Sequence, residues 1–251
     1  MNLKGKVIMI TGAAQGFGRC IALDCASDGA TIVACDLDNC DETVSLIEEA
    51  GGKATGISFD ITDANACVAA VDQAVSTYGR VDGLINNGAL YGALHFAPFE
   101  LIDPGEWDLV MKVNVKGTWN MCKAVTPHMR ENKAGSIVNI SSNSALMGPA
   151  MMCHYVVSKA AVIGLTRNIA TELGPDNIRV NSVCPGGMNT PGSIKVAGDN
   201  LQAMLDASPK ARMKQFMEPE EVTGTVKFLV SDDSSMMTGQ ILTTDGGMTT
   251  L

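Results

Sequence analysis

Basic residues are scarce in this chain: 18 lysines and arginines stand against 27 aspartates and glutamates, a formal charge of −9 over 251 residues. Nucleic-acid binding draws its affinity from basic clusters on phosphates, so nucleic acid is not expected as a partner. Long apolar runs are missing too. Hydrophobic residues make up 46% of the chain, yet none of its stretches reaches the roughly 18 consecutive apolar residues of a membrane span, and no membrane partner is expected. The start, Met1-Asn2-Leu3-Lys4-Gly5-Lys6, runs directly into an apolar segment and leaves no room for a signal peptide. The eight cysteines contain no Cys-x-x-Cys pair and several sit in apolar runs, which suits reduced thiols in a cytoplasmic protein better than disulfides or a zinc site. No metal is expected. Repeats, low-complexity tracts and linkers are absent, and 251 residues suffice for one well-buried domain over 1–251.

What the chain does have is a regular alternation. Apolar runs at 7–10, 31–35, 57–59, 83–85, 136–140, 179–183 and 240–244 read as strands, and helical patterns occupy 19–28, 64–78, 104–130, 152–174 and 219–231. Such alternation predicts an α/β fold, a doubly wound parallel sheet with helices on both faces. The one long irregular stretch, 187–217, holds Pro191, Gly192, Gly198 and Pro209. A loop of that length inside a compact domain is often functional, although a surface excursion reads equally well from composition.

Thr11-Gly12-Ala13-Ala14-Gln15-Gly16-Phe17-Gly18 stands between the run 7–10 and the amphipathic stretch 19–28, so strand, glycine turn and helix follow in order. Glycines permit the tight turn and bring backbone N–H groups to a pyrophosphate, which the helix N-terminus stabilises. The spacing is Gly-x-x-x-Gly-x-Gly, and its bland reading is a strand-to-helix turn without a ligand. Strand 31–35 ends at Asp36, where a carboxylate accepts hydrogen bonds from an adenosine ribose and repels a 2′-phosphate. Gln15 brings no positive charge to the turn, and neither Leu37 nor Asp38 is basic. The cofactor implied is NAD, not NADP. Asp36 could also be a solvated turn carboxylate, since Asp38 and Asp41 crowd the same loop.

Ser142 stands thirteen positions before Tyr155, and Lys159 four positions after it. On a helix over 152–174, positions i and i+4 share a face, so the Lys159 ammonium can sit beside the Tyr155 phenol and lower its pKa. Ser142 follows the strand 136–140 at the start of a loop, where its hydroxyl can hold a carbonyl or alcohol oxygen. A Tyr-x-x-x-Lys pair alone is weak, because a helix-face tyrosine with a solvated lysine looks the same.

Glycine turn and Ser-Tyr-Lys set together make the sequence resemble the short-chain dehydrogenase/reductase family over essentially its whole length. Asp60-Ile61 resembles the family's adenine-contacting Asp-hydrophobic pair. Asn86-Asn87-Gly88-Ala89 resembles its Asn-Asn-Ala-Gly with the last two residues exchanged, and Asn114 in Val113-Asn114-Val115 matches the helix asparagine of the catalytic tetrad. Residues 181–190, NSVCPGGMNT, resemble the segment facing the nicotinamide, and 238–247 resemble the C-terminal signature.

The resemblance implies a Rossmann-like catalytic domain in which Gly12, Gln15, Gly16, Phe17, Gly18, Asp36, Leu37, Asp60, Ile61, Asn87, Gly88, Pro185, Gly186, Met188 and Thr190 bind NAD together with Tyr155 and Lys159. It implies that Asn114 holds a water that passes the proton towards solvent. Tyr91, Ser144, Met147, Met151, Met152 and Met188 are expected at the substrate pocket, with Met204 and Leu205 on a lid over 187–217. The methionines could equally be ordinary core packing. His154 is expected at the pocket rim or the surface, since adjacent helix positions point about 100° apart. The implied activity is NAD-dependent interconversion of a mainly apolar secondary alcohol and its ketone by a homotetramer assembled through 104–130, the catalytic helix and the C-terminal strand. Two other readings stand beside it: a 3-oxoacyl thioester reductase, which Asp36 and the scarcity of basic residues disfavour, and a nucleotide-sensing or scaffolding protein without turnover.

Overall fold

A computed structural model of the protein describes residues 1–197, 212–213 and 217–249. The short apolar runs become strands β1 (Val7–Thr11), β2 (Thr31–Asp36), β3 (Lys53–Ser58), β4 (Gly83–Asn86), β5 (Gly135–Ile140), β6 (Ile178–Pro185) and β7 (Ile241–Thr244). They pair in parallel in the order β3-β2-β1-β4-β5-β6-β7. Parallel neighbours need crossovers, and the intervening segments supply helices: α1 (Gly16–Ser27), α2 (Asp41–Glu49), α3 (Ala64–Tyr78), α4 (Pro104–Val110), α5 (Thr118–Asn132), α6 (Ser144–Met147), α7 (Cys153–Leu173), α8 (Pro191–Ala197) and α9 (Glu220–Val230).

Successive strand side chains point to opposite faces, so two cores form. Ile8 and Ile10 of β1 join Ile32, Ala34, Ile85 and Val183 against Ile21 and Cys25 of α1 and Val222, Val226 and Leu229 of α9. Val7 and Met9 join Val33, Leu84, Ile137 and Val180 against Val71 of α3, Met121 and Val125 of α5 and Leu173 of α7. Each of these valine, leucine, isoleucine and methionine side chains contributes about 1.5–3 kcal/mol on burial, and burial on both faces explains why the strands read as continuous apolar runs. The chain winds outward from β1 to β3, then restarts at β4 on the other side of β1. Loops leaving β1 and β4 therefore diverge to opposite faces and open a crevice between them.

Some elements differ from the sequence pattern. The expected helix 104–130 is α4, a π-helical turn at Met111–Gly117 holding Asn114, and α5. A local change from i→i+4 to i→i+5 bonding leaves no trace in a 3.6-residue period. Strand β3 begins at Lys53, because backbone pairing with β2 carries it through residues that are only partly buried at the sheet edge. Asp41 is not a loop residue: with Glu42 it opens α2, where acidic side chains favour the helix N-terminus. Within 187–217 the chain forms α8, with Pro191 in its first turn and Thr190 Oγ1 accepting from Ser193 N at 3.2 Å. Met204 and Leu205 lie outside the described residues.

Candidate active site

The crevice at the C-terminal ends of β1, β4, β5 and β6 widens into a cleft of about 1180 Å³. Its floor is the glycine turn. Gly12 has φ +67°, and a Cβ there would come within 2.8 Å of Asn87 Nδ2 and of the Gly88 Cα; a Cβ at Gly18 would overlap the Gly12 carbonyl oxygen. Asn87 Nδ2 donates to the Thr11 and Gly12 carbonyls at 3.0 and 3.1 Å, and Thr11 Oγ1 accepts from the backbone N–H groups of Asn87 and Gly88. The two turns are thus locked together, and neither Gly88 nor Ala89 adopts positive φ, so the exchanged pair fits without strain. Helix α1 starts at Gly16 with no side-chain cap from Gln15 and no acidic residue in its first turn. That leaves its free N–H groups at the cleft for an anion.

Asp36 lies at the far end. Its Oδ2 accepts from Ala14 N at 2.9 Å, and its Oδ1 accepts from Leu37 N and Asp38 N at 2.7 and 3.3 Å. The carboxylate therefore also shapes the turn that it overlooks. Asp60 and Ile61 follow along the wall, Ile61 held by Asn120 Nδ2 donating to its carbonyl at 2.9 Å. Of the residues expected to bind the cofactor, all except Gly18 line the cleft; Gly18 instead lets α1 pack closely on Gly12 and Asn87. The residues present fit a dinucleotide: an uncapped helix N-terminus, glycines that a Cβ would obstruct, and an acidic group at the ribose distance along the chain.

Tyr155 and Lys159 share one face of α7 and are 9% and 3% exposed, and Ser142 faces them from the loop after β5. The Lys159 Nζ donates to the Ile140 carbonyl at 2.9 Å and lies 5.7 Å from the Tyr155 ring centroid. Burial raises the Tyr155 pKa well above its usual value, Tyr91 adds to the rise, and a hydrogen bond with Ser142 opposes it. Burial lowers Lys159 to about 8. Tyr155 is thus raised by burial where lysine was expected to lower it, and the Lys159 ammonium is bound to the Ile140 carbonyl.

Asn114 is 1% exposed and does not line the cleft. Its Oδ1 accepts from Leu90 N at 2.7 Å, while Nδ2 donates to the Leu90 carbonyl at 3.3 Å and to Ser158 Oγ at 3.1 Å. Ser158 Oγ in turn donates to the Tyr155 carbonyl at 2.7 Å. The Asn114 side chain thus ties the loop after β4 to α7.

Beside Tyr155, Tyr91 packs on its ring with centroids 5.0 Å apart and hydrogen-bonds Ser193 of α8. Ser144, Met147, Met152 and Met188 line the cleft as expected. Met151 does not: it is 45% exposed and turned away by a left-handed backbone, φ 71°. Ile194, within the stretch 187–217, is exposed as well. His154 is the larger correction, being fully buried instead of at a rim. Helix α4 covers it, with Glu106 Oε1 3.9 Å from its Nε2. The 100° offset from Tyr155 fixed its direction but could not show that another helix waits there. Phe96, Pro149 and Met248 also line the cleft and were not expected; only Met248 carried a signal, immediately following Asp245-Gly246-Gly247. Among the described residues, no cluster of His, Cys, Asp or Glu could hold a metal ion, and no helix is long and apolar enough to cross a membrane.

Comparison with known proteins agrees with this geometry. A family profile described as enoyl-(acyl carrier protein) reductase matches residues 12–249. A 3-oxoacyl-[acyl-carrier-protein] reductase of Thermotoga maritima is 40% identical over 250 residues, covering 99% of both chains. A 2-(S)-hydroxypropyl-CoM dehydrogenase of Xanthobacter autotrophicus is 34% identical over 257 residues, covering 100% of this chain and 99% of its own. Among solved structures, levodione reductase superposes with TM-score 0.91 at 28% identity, covering 98% of each chain. With the parallel sheet, the glycine turn and the Ser-Tyr-Lys cleft in the family's order, the chain belongs to the short-chain dehydrogenase/reductase family.

Proposed function

We propose that the protein is an NAD-dependent oxidoreductase that interconverts a mainly apolar secondary alcohol and its ketone. The observation that carries this reading is the convergence of Ser142, Tyr155 and Lys159 in one cleft between the glycine turn and an apolar wall of Tyr91, Phe96, Met147 and Met152. In this reading the α1 N-terminus and the N–H groups of the glycine turn hold the pyrophosphate, Asp36 the adenosine ribose, and Asp60 and Ile61 the adenine. Lys159 and Tyr155 hold the nicotinamide ribose, beside Pro185, Gly186, Met188 and Thr190. Bound NAD supplies the hydride acceptor that no side chain provides.

Every other step belongs to the protein. Ser142 donates to the substrate oxygen and stabilises its developing charge. Tyr155 exchanges the proton with that oxygen. Because burial favours the neutral phenol, the resting site is set to protonate a carbonyl oxygen. Alcohol oxidation needs the phenolate, which the Ser142 hydrogen bond favours. Asn114 acts by holding Leu90 and α7 in register. Exposed Trp119 on α5 supports assembly through that helix into a tetramer, which light scattering at micromolar concentration tests.

A panel of secondary alcohols with NAD and with NADP, read by reduced-cofactor absorbance, tests the activity; no turnover of any member with either cofactor would leave a binding protein of this fold. A second reading, reduction of 3-oxoacyl thioesters, is supported by the 40% identity to the Thermotoga maritima reductase. Faster turnover of a 3-oxoacyl thioester than of any free ketone would favour it.

A further inference from the structure

Ser144 meets the catalytic loop in a way that lining a pocket does not require. It opens α6, is 6% exposed, and follows Asn143, whose N–H donates to the Pro185 carbonyl at 2.9 Å and whose Nδ2 donates to Asp245 Oδ2 at 3.2 Å. From this anchored position Ser144 gives Ser142 Oγ two hydrogen bonds, one from its hydroxyl at 2.9 Å and one from its backbone N–H at 3.2 Å. A serine hydroxyl has two acceptor sites and one hydrogen. Both acceptor sites of Ser142 are filled by Ser144, so the Ser142 hydrogen is the one hydrogen-bonding function left.

We propose that Ser144 is a positioning residue that turns Ser142 into an obligate donor, whose one hydrogen goes to the Tyr155 phenol in the free site and to the substrate oxygen once substrate is bound. The inference rests on the reading of Ser142 and Tyr155 as the reacting pair. A hydroxyl free to rotate would divide its time between accepting and donating. Fixed as a donor, it meets the developing oxyanion without reorganising. Hydrogen bonds in series also polarise one another, so the Ser144 donation strengthens the Ser142 hydrogen bond. The same chain reaches Tyr155, whose phenolate Ser142 favours against burial, Tyr91 and Cys184. Ser144 touches none of the reacting atoms and acts only through Ser142.

The test combines Ser144→Ala, Ser144→Thr, Ser142→Ala and the Ser142→Ala/Ser144→Ala double variant. Ser144→Ala keeps the backbone bond and removes the hydroxyl donor. It should lower kcat about tenfold, the size of one net hydrogen bond, and leave the NAD dissociation constant within roughly twofold. It should also move the basic-form requirement of alcohol oxidation, read as the acidic limb of kcat/KM against pH, to higher pH, since Tyr155 loses part of what favours its phenolate. Ser144→Thr retains the hydroxyl and should recover most of kcat with the wild-type pH limb. In the Ser142→Ala background, Ser144→Ala should cost nothing further. Losses that multiply in the double variant, an unmoved pH limb in Ser144→Ala, or a threonine variant as slow as the alanine would overturn the inference. If Ser142→Ala itself keeps wild-type kcat, the catalytic reading falls first, a result distinct from a silent Ser144→Ala beside an inactive Ser142→Ala.

Discussion

Replacing Lys159 by methionine should stabilise the protein near neutral pH while abolishing turnover, and the stabilisation should disappear as pH rises. The side chain is 3% exposed, and burial lowers its pKa from 10.5 to about 8. At about 1.4 kcal/mol for each pH unit, keeping this ammonium charged in the folded protein costs about 3 kcal/mol. Against that stands its bond to the Ile140 carbonyl, whose loss costs about 1–3 kcal/mol. Methionine of similar shape removes both, for a net gain of up to about 2 kcal/mol at pH 7. The sign follows from linkage: the folded pKa lies below the unfolded one, so the unfolded chain binds more protons between the two values and wild-type stability from this group rises across that window. Below pH 8 the penalty is complete; above 10.5 it is gone. Tyr155 is raised instead, so its contribution is present below its unfolded pKa, near 10, and is lost only above it. Urea unfolding of the cofactor-free wild type and Lys159→Met at pH 7, 8 and 9.5 measures the difference. A gap between the two proteins that stays constant over that range, or widens with pH in favour of methionine, would refute the assignment of a strained, buried ammonium.

Tyr155→Phe keeps the ring and its packing on Tyr91 but removes the proton-carrying oxygen; kcat should fall by about 10²-fold or more with NAD affinity nearly intact, and a variant near wild-type kcat would remove the tyrosine from its role. Asp36→Ala should raise the NADP-to-NAD ratio of kcat/KM by about tenfold. It should also lower the melting temperature, because Ala14 N, Leu37 N and Asp38 N lose their acceptor. An unchanged ratio would return Asp36 to a turn residue alone. Asn114→Ala strands the Leu90 N–H and carbonyl, so hydrogen exchange should quicken at residues 88–92 and kcat should fall; unchanged exchange there would refute the clamp.

Local pattern carried the architecture a long way. Apolar runs of β1, β4 and β5 are readable because both faces are buried, and Ala64–Tyr78 is readable because Asp63 caps it and Gly79 ends it. The glycine turn and the Tyr155–Lys159 pair are short-range spacings, so backbone geometry alone places them. Contacts between segments distant in sequence had to wait for the fold. The docking of α4 buries His154, the π-helical turn directs Asn114 to Leu90 and Ser158, and Met151 turns outward on a left-handed backbone. Lys159 finds the Ile140 carbonyl across nineteen residues, and Asn143 finds Asp245 across 102. Sequence determined which residue types stand at which spacing. Tertiary structure decided what each side chain faces, and thereby which charges are desolvated and which hydroxyl is left only to donate.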